Sequence, residues 1–362
     1  MDKVRKSQNR ILNFFDHNQL YLLSFFIPFI TMMIIFAGNL IFPFGDRSFL
    51  HIDMYHQYFP FLTEFFHKLR SGDSLFYSWN TGIGSNFVAL YAYYLASPIN
   101  WLCILCPEKY LMEFMSYLIV IKVGLCGFTF AYYTSKHFHT KNLSIAFFGC
   151  FYAMSGYMAA YNWNVMWLDC IVLAPIIILG LELLVNEGKY KLYCISLAVA
   201  ILSNYYLCIM ICIFLVLYFL MVLLPNGNDK LKACYRFSIF SLLAGGMAAM
   251  LLIPEVAALQ LSKFSSADFP TTVKTYFSVF DVLARHCTDV AIETGLDHWP
   301  NLYCSVAVMF LFPIYITCKN IPTNIKIGKL SLLVFMLISF VNNTLNFIWH
   351  GGRCLSPVPH YG

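Results

Sequence analysis

The chain has 362 residues, of which 60% are hydrophobic and only 11% are charged, and its formal net charge is +5. Soluble domains contain about 45–50% apolar and about 25% charged residues, so this composition excludes an ordinary globular protein. It indicates an all-α membrane protein that is surrounded by a lipid bilayer, and the modest charge leads us to expect no nucleic-acid partner.

The N-terminal part of the chain predicts a basic segment over residues 1–19 and then a first span over about 20–44. This apolar stretch is longer than that of a secretory signal and lacks a small-residue cleavage site, so we expect it to stay in the membrane. Further apolar segments of near-spanning length follow at 111–135, 143–161, 170–185, 237–259, 301–318 and 330–348.

One apolar run, residues 192–224, is too long for a single span. As one helix it would extend about 50 Å, whereas the hydrocarbon core of a bilayer is about 30 Å thick. Both of its flanks are basic, as is typical of cytoplasmic loops, so the run must cross the membrane an even number of times. We predict two short helices that turn near Ser203–Tyr206, which gives a bundle of about nine spans over residues 20–348.

Basic residues mark the segments that we expect to be cytoplasmic, because Lys and Arg are enriched in the loops on that side of a membrane. With the N-terminus inside, the predicted inner segments are short and yet hold more than half of the 23 Lys and Arg residues. Two long loops, 45–110 and 260–300, then face the exterior. Because the inner loops are too short for a nucleotide-binding domain, we expect any chemistry on the outer face.

The first outer loop begins with "HIDMYHQYFPF", residues 51–61. Apolar and aromatic residues then recur at three- and four-residue spacing, which predicts an amphipathic interfacial helix with one apolar face. The apolar side of this helix comprises Tyr55, Tyr58, Leu62, Phe65, Phe66 and Leu69, with Lys68 on the polar side. Pro98 and Asn100 interrupt the apolar stretch 88–105, so we expect re-entrant or interfacial helices there.

Asp53 is the residue in this loop with both a functional and a structural interpretation, and the two are compatible. A carboxylate at a low-dielectric boundary holds a proton more readily than in water, which suits a general base at the mouth of a membrane cavity. Asp is also a favoured N-cap, and a helix follows it. His51, Asp53 and His56 could instead bind a divalent cation, although their spacing does not match a helical zinc motif, and we predict no metal site.

Four stretches resemble the bacterial YfhO membrane-protein family: "DMYHQYFPFLTEFFHKLRSGDSLFYSWNTGIGSNFVALYAYYLASPINW", "LSNYYLCIMICIFLVLY", "WPNLYCS" and "LNFIWHG". That family is similar to the GT-C glycosyltransferases, which use polyprenyl-phosphate sugars at the outer leaflet. The resemblance therefore implies a GT-C-like fold in a bacterial plasma membrane. It also implies transfer of a sugar to a cell-envelope polymer such as lipoteichoic acid.

The same resemblance implies roles for individual residues. GT-C enzymes place a catalytic acid early in the first outer loop, and Asp53 holds that position here. Tyr55, His56, Tyr58, Trp79 and Asn80 are then candidates for substrate binding. In the fourth outer loop, Arg285 and His286 are candidates for holding the leaving phosphate, although Arg285 is equally open to interpretation as a solvated loop charge.

Three points stay open in the sequence. A transporter or flippase for lipid-linked sugars would share the spans and the polar residues Lys122 and Asn204, and a non-catalytic scaffold would need no Asp53 chemistry. Asp169 and Glu255 are further acids on the outer side. Residues 349–362 do not resemble the expected continuation of the family, so we interpret them as an aberrant, truncated tail.

Overall fold

The computed structural model describes residues 2–227, 229–260, 269–294 and 299–351, with only the backbone path along residues 2–14. The described chain is mostly helical, and its only strands are two-residue segments, Tyr77–Ser78 and Ser85–Asn86, that pair antiparallel. The α-helices of the described residues are α1 Asp2–Gly38, α2 Phe59–Ser71, α3 Phe87–Leu90, α4 Leu111–His137, α5 Ser144–Ala153, α6 Gly156–Tyr161, α7 Leu168–Glu187, α8 Lys191–Ser203, α9 Tyr205–Tyr218, α10 Leu224–Asn226, α11 Lys230–Met247, α12 Ala249–Gln260, α13 Val279–Ala284, α14 Ala307–Thr317, α15 Thr323–Val341 and α16 Asn343–Trp349.

Several shorter helical segments complete the described chain. Three π-helical turns occupy Met54–Tyr58, Tyr91–Leu95 and Phe219–Leu223, and 3-10 turns occupy Pro98–Leu105 and Glu108–Tyr110. Most of the predicted tail lies outside the described residues, which end at residue 351.

Five helices of the described chain are long and apolar enough to cross a membrane, or seven if each of two sharply bent pairs is one span. The five are Phe15–Gly38, Glu108–His137, Leu168–Glu187, Tyr205–Asn226 and Thr323–Val341. The protein is therefore a helical membrane protein, as predicted. The total of nine spans stays a prediction, because α8 and α14 are apolar but shorter.

The predicted span over 143–161 is not one continuous helix, because the chain breaks between α5 and α6. Ser155 caps α6 by accepting a hydrogen bond from the Met158 backbone amide. The amide of Gly156 donates to the Tyr303 carbonyl at 2.6 Å, and a Cβ on Gly156 would lie only 3.2 Å from the Tyr303 nitrogen. The carbonyl of the distant residue Tyr303 thus accepts the hydrogen bond that a carbonyl one turn earlier would accept in a continuous helix.

The predicted break in the run 192–224 is confirmed. Helix α8 ends at Ser203, and α9 begins at Tyr205. Asn204 between them has extended backbone, accepts a hydrogen bond from the Leu207 amide at 2.8 Å, and donates to the Tyr93 carbonyl at 2.9 Å. One side chain therefore caps the second helix and attaches the break to the first outer loop.

The two ends of the segment 87–105 both lie against helix α2. Its two halves, Phe87–Leu95 and Pro98–Leu105, meet at 99°. The Lys68 ammonium near the end of α2 lies 5.2 Å from the Phe87 ring, and Arg70 in the same turn donates to the Ile104 carbonyl at 3.2 Å. Both ends therefore lie against the last turns of α2, and the re-entrant course of this segment stays a prediction.

Segments that the sequence predicts to be cytoplasmic gather at one end of the bundle. Lys141 and His17 are 3.0 Å apart through their side-chain nitrogens, and His137 contacts Glu182 at 2.8 Å. Segments predicted to face the exterior gather at the other end, where Tyr58 bonds Asn164. We call these the basic end and the Asp53 end.

Inside the bundle, α4 and α7 are joined by a buried ion pair. The Lys122 ammonium lies 2.6 Å from the Asp169 carboxylate and also donates to the Val165 carbonyl at 3.0 Å. The Lys122 side chain is 1% exposed and that of Asp169 is 8% exposed. Both charges are therefore satisfied by each other, which makes their burial between apolar helices tolerable.

Candidate functional site

The segment that carries Asp53 packs its apolar face on the core, as predicted. The π-helical turn Met54–Tyr58 runs directly into α2, with Pro60 in the first turn where its missing amide costs nothing. Met54, Tyr58, Leu62, Phe65 and Phe66 are all buried. The predicted faces are wrong for two residues, since Tyr55 is 66% exposed and Lys68 only 7% exposed.

Asp53 is half-buried at the first position of this segment. It occupies the N-cap position, but its side chain makes no capping hydrogen bond. Among the residues that the structure describes, no group donates a hydrogen bond to its carboxylate. The arrangement therefore leaves the carboxylate oxygens available to a ligand.

Aromatic side chains surround this carboxylate. The Tyr58 hydroxyl donates to the Asn164 side-chain oxygen at 2.7 Å, and the Tyr58 ring stacks on Trp163 with centroids 6.0 Å apart. Burial, and then the charge of Asp53, raise the pKa of Tyr58. Tyr58 therefore stays protonated and acts as a donor, so it fixes the start of the helix against the turn before α7.

A cavity of about 550 Å³ lies at the Asp53 end, between α1, the loop 41–51, α4 and the break between α5 and α6, and Asp53 itself is not one of its lining residues. His51, two residues before Asp53, lines it together with Trp163, which stacks on Tyr58. Its other polar lining residues include Asn39, Arg47, Ser48 and Asn162, and its apolar wall includes Met32, Ile35, Val123, Met154 and Met158. A polar rim on an apolar, helix-walled space suits an amphiphilic ligand with a lipid part.

Arg47 is a lining residue that the sequence analysis did not identify. Its guanidinium makes no hydrogen bond or ion pair to any described residue. A tight turn brings it to the cavity, because its amide donates to the Leu40 carbonyl at 3.0 Å. Gly45 permits this turn, since a Cβ there would lie 2.5 Å from the Leu40 carbonyl oxygen. The signal in the sequence was a basic residue in a predicted outer loop.

Two predicted substrate-binding residues, Trp79 and Asn80, lie in a second cluster further along the loop. The Glu64 carboxylate accepts hydrogen bonds from Ser78 at 2.6 Å and from Asn80 at 2.9 Å. Lys68 donates to the Tyr77 carbonyl at 2.9 Å and lies 3.6 Å from Glu64. Glu64 follows Asp53 by 11 residues. At the rise of an α-helix, the two residues are about 16 Å apart along the axis of the segment.

The exposure of the predicted binding residues differs. Trp79 is 77% exposed next to the Tyr77 ring, and Asn80 is exposed while bonded to Glu64. Tyr55 and His56 are exposed and their rings contact each other at 5.2 Å. These four side chains therefore face outward, whereas Tyr58 faces the core.

Arg285 and His286 lie in the predicted fourth outer loop, at the end of α13. Arg285 is 5% exposed and donates to the Pro300 carbonyl at 3.0 Å, the Ala291 carbonyl at 2.8 Å and the Asn301 side chain at 3.0 Å. His286 is half-buried, with Nδ1 3.2 Å from the Val282 carbonyl. Arg285 thus holds the loop together.

This loop reaches the cavity at the Asp53 end. Thr294 is one of the lining residues, and Asn301, which bonds Arg285, also bonds the Tyr161 side chain at the end of α6. The structure therefore brings the two predicted outer loops together at one rim. Arg285 is connected to that rim indirectly, because Asn301 bonds both Arg285 and Tyr161.

The two further acids that the sequence placed on the outer side, Asp169 and Glu255, are buried. Asp169 is the partner of Lys122. Glu255 on α12 is 3% exposed, and one of its oxygens has no hydrogen-bond partner among the described residues.

A divalent-cation site is not formed by the described residues. No group of three or more His, Cys, Asp or Glu side chains in the described part of the chain is arranged to hold a metal ion. His51, Asp53 and His56 therefore do not act together as a three-ligand site in this arrangement. The described residues at this end include a carboxylate, an arginine and aromatic side chains.

Comparison with known proteins gives one match. The family model described as "Bacterial membrane protein YfhO" matches residues 24–358. No curated protein and no solved structure matches the chain. Because the family match covers nearly the whole sequence, including all of both predicted outer loops, the chain belongs to the YfhO family of bacterial membrane proteins.

Proposed function

We propose that this protein is an inverting glycosyltransferase of the GT-C type in the bacterial plasma membrane. Its donor is a polyprenyl-phosphate sugar, and its acceptor is a hydroxyl of a cell-envelope polymer such as lipoteichoic acid, at the outer face. The N-terminus is cytoplasmic, so that the Asp53 end faces the exterior. Membership of the YfhO family and the helical membrane architecture support this assignment.

The observation that carries the proposal is the carboxylate of Asp53, which has no hydrogen-bond partner among the described residues and follows by two residues His51, a lining residue of the cavity. A half-buried carboxylate usually has hydrogen-bond partners, and this one has none among the described residues. The adjacent cavity has an apolar wall from α1 and α4 and a polar rim. The apolar wall accommodates the first isoprene units, and the rim accommodates the phosphate and the sugar.

The reaction is a single displacement at the anomeric carbon of the donor sugar. Asp53 accepts the proton of the acceptor hydroxyl. At the same time, the oxygen of that hydroxyl bonds the anomeric carbon from the face opposite the phosphate. The bond from that carbon to the phosphate oxygen breaks, and the electron pair leaves with the lipid phosphate. Arg47 on the cavity rim stabilises the negative charge of this leaving phosphate.

The remaining candidate residues have supporting roles in this proposal. Tyr55, His56, Trp79 and Asn80 contact the acceptor, since they face outward around the loop. Tyr58 positions Asp53 by its bond to Asn164. Arg285 and His286 order the loop that closes over the rim, with Arg285 acting through Asn301.

The test replaces Asp53 with Asn in the full chain, expressed in bacterial membranes that contain labelled polyprenyl-phosphate sugar. We expect transfer of label to envelope polymer to fall by about 10²–10⁴-fold, because general-base catalysis contributes on that order. Asp73→Asn is the matched control, since Asp73 is an exposed carboxylate of the same loop that bonds Ser71. Transfer that is unchanged in Asp53→Asn excludes this carboxylate as the base.

The same assay separates a transferase from a flippase. A transferase consumes the labelled donor, whereas a flippase moves it between leaflets without consuming it. The polar groups that a transporter would share are satisfied within the bundle: Lys122 bonds Asp169 and Val165, and Asn204 bonds Tyr93 and Leu207. Among the described residues, the side chains of Lys122 and Asn204 are therefore bonded to protein groups and do not line an open polar path for a transported substrate.

A further inference from the structure

A second cavity, of about 360 Å³, lies at the basic end of the bundle, far from Asp53. The last turns of α4 and α7, the segment Tyr218–Asn226 and the second turn of α15 form its walls. Its polar and charged lining includes Lys136, His137, Glu182, Tyr218, Asn226 and Lys329. Neither the proposed transfer reaction nor the family match assigns a role to it.

The buried acid of this cavity, Glu182, is already satisfied. Its Oε1 accepts hydrogen bonds from the hydroxyls of Tyr218 at 2.7 Å and Tyr133 at 3.2 Å, and its Oε2 lies 2.8 Å from Nδ1 of His137. The neighbouring Glu187 pairs with Lys189. Both acids on the cavity wall therefore have partners, and His137 is one of those of Glu182.

Two lysines of the cavity have no such partner. Lys329 is half-buried, and its ammonium makes no hydrogen bond or ion pair to any described residue. Lys136 contacts only the Tyr132 ring, 5.6 Å from its centroid, and pairs with no carboxylate in the described ranges. Neither ammonium therefore has a direct hydrogen-bond or ion-pair partner in the described ranges, and Glu182 acts on Lys329 only through its charge at longer distance.

The position of Lys329 is fixed by backbone packing. A Cβ on the preceding Gly328 would lie 2.3 Å from the Met221 carbonyl oxygen, so α15 packs directly against the π-helical turn Phe219–Leu223. This contact holds Lys329 at the cavity wall rather than toward lipid. π-Helical turns of this kind occur often at functional sites.

We propose that this cavity binds a phosphate group, with Lys329 and Lys136 as its ligands. A half-buried ammonium that has no direct acceptor is available to a phosphate, because it binds phosphate through charge-assisted hydrogen bonds. Basic pockets between spans at the cytoplasmic side bind the headgroups of anionic phospholipids. The phosphate belongs either to such a headgroup or to a soluble phosphate compound, and the site does not depend on the proposed transferase activity.

The experiment uses the full chain purified in detergent. It is titrated with phosphatidylglycerol, with phosphatidylcholine as a lipid of no net charge, and separately with inorganic phosphate, and the melting temperature is followed in each series. Lys329→Met is compared with Lys329→Arg, which keeps the charge. Lys319→Met is the matched control, because it removes an exposed lysine from the same end of the bundle.

We expect phosphatidylglycerol to bind Lys329→Met about tenfold or more weakly, as loss of one charge-assisted bond predicts, and to bind the Arg and Lys319 variants normally. A different result would identify a soluble phosphate as the ligand. In that case Lys329→Met binds inorganic phosphate more weakly by a similar factor, and the wild type does not prefer phosphatidylglycerol to phosphatidylcholine. If Lys329→Met binds both phosphate sources as tightly as the wild type, the proposal is wrong.

Discussion

Asp53 and Glu64 are two half-buried carboxylates on the same helical segment, and their surroundings are opposite. Glu64 accepts hydrogen bonds from Ser78 and Asn80 and lies beside Lys68, whereas the described residues donate nothing to Asp53. A carboxylate with three partners stabilises the fold that supplies them. A carboxylate without partners contributes little to the fold and remains available to a substrate.

Two further buried acids follow the pattern of Glu64. Asp169 pairs with Lys122, and Glu182 has three donors. Each of them joins helices that are distant in sequence, so their partners are the products of folding. The contrast with Asp53 therefore distinguishes acids that hold the bundle together from the acid that we assign to the reaction.

The largest effect should come from a double comparison of Asp53→Asn and Glu64→Gln. We expect Asp53→Asn to lower sugar transfer by about 10²–10⁴-fold and to leave the melting temperature unchanged, because its carboxylate has no partner to lose. Glu64→Gln should lower the melting temperature and keep transfer within about tenfold of the wild type, since it removes an ion pair outside the cavity. Transfer and melting measured on the same preparations check both expectations.

Equal loss of stability in the two variants would contradict the comparison, since it would mean that Asp53 also supports the fold. Asp73→Asn on the exposed surface gives the baseline for both measurements.

The next largest effect should come from Lys122→Met, which makes Asp169 a carboxylate without a partner inside the bundle. Breaking one side of a buried ion pair costs about 3–5 kcal/mol, because the remaining charge stays buried. Lys122→Met with Asp169→Leu should recover most of this loss, since it removes both charges. Denaturant unfolding of the purified protein, followed by circular dichroism, measures both variants.

A third, smaller effect concerns the hairpin that Glu64 supports. Glu64→Ala should destabilise the pairing of Tyr77–Ser78 with Ser85–Asn86 by about 1–3 kcal/mol, because Lys68 and Ser78 would lose their shared acceptor. Hydrogen exchange at the amides of this hairpin measures the change. Exchange that stays at the wild-type rate would show that the contacts of Lys68 with the backbone carbonyls suffice.

Features that depend on local sequence could be predicted here. Pro98 and Asn100 marked the bend within the segment 87–105, and Asn204 marked the break between α8 and α9. In each case the interrupting residue itself determines the backbone, through a fixed φ or a side-chain cap. The helix after Asp53 was likewise evident from its apolar spacing.

Features that depend on distant contacts could not be predicted. The break between α5 and α6 depends on Tyr303, and Lys68 is buried because carbonyls of the hairpin surround its ammonium. Arg47 reaches the cavity only because the turn at Gly45 returns it to Leu40. Apolar periodicity describes only the faces of a single helix and contains no information about partners that are distant in sequence. It therefore assigned Lys68 to the polar face and did not identify Arg47.

The smallest expected effect is a pH dependence that separates Glu64 from the exposed surface. Burial opposes ionisation of Glu64, but the hydrogen bonds from Ser78 and Asn80 and the charge of Lys68 outweigh it and lower the pKa of this carboxyl. A lowered pKa in the folded state means that the contact stabilises the hairpin above the ordinary pKa of about 4.3 and is lost as the pH falls through the folded value. Protection of the hairpin amides, corrected for intrinsic exchange, should therefore be constant from about pH 7 to 5 and decrease below about pH 4. Glu64→Gln should abolish this dependence and Asp53→Asn should retain it, because of these two carboxylates only Glu64 is hydrogen-bonded to the hairpin.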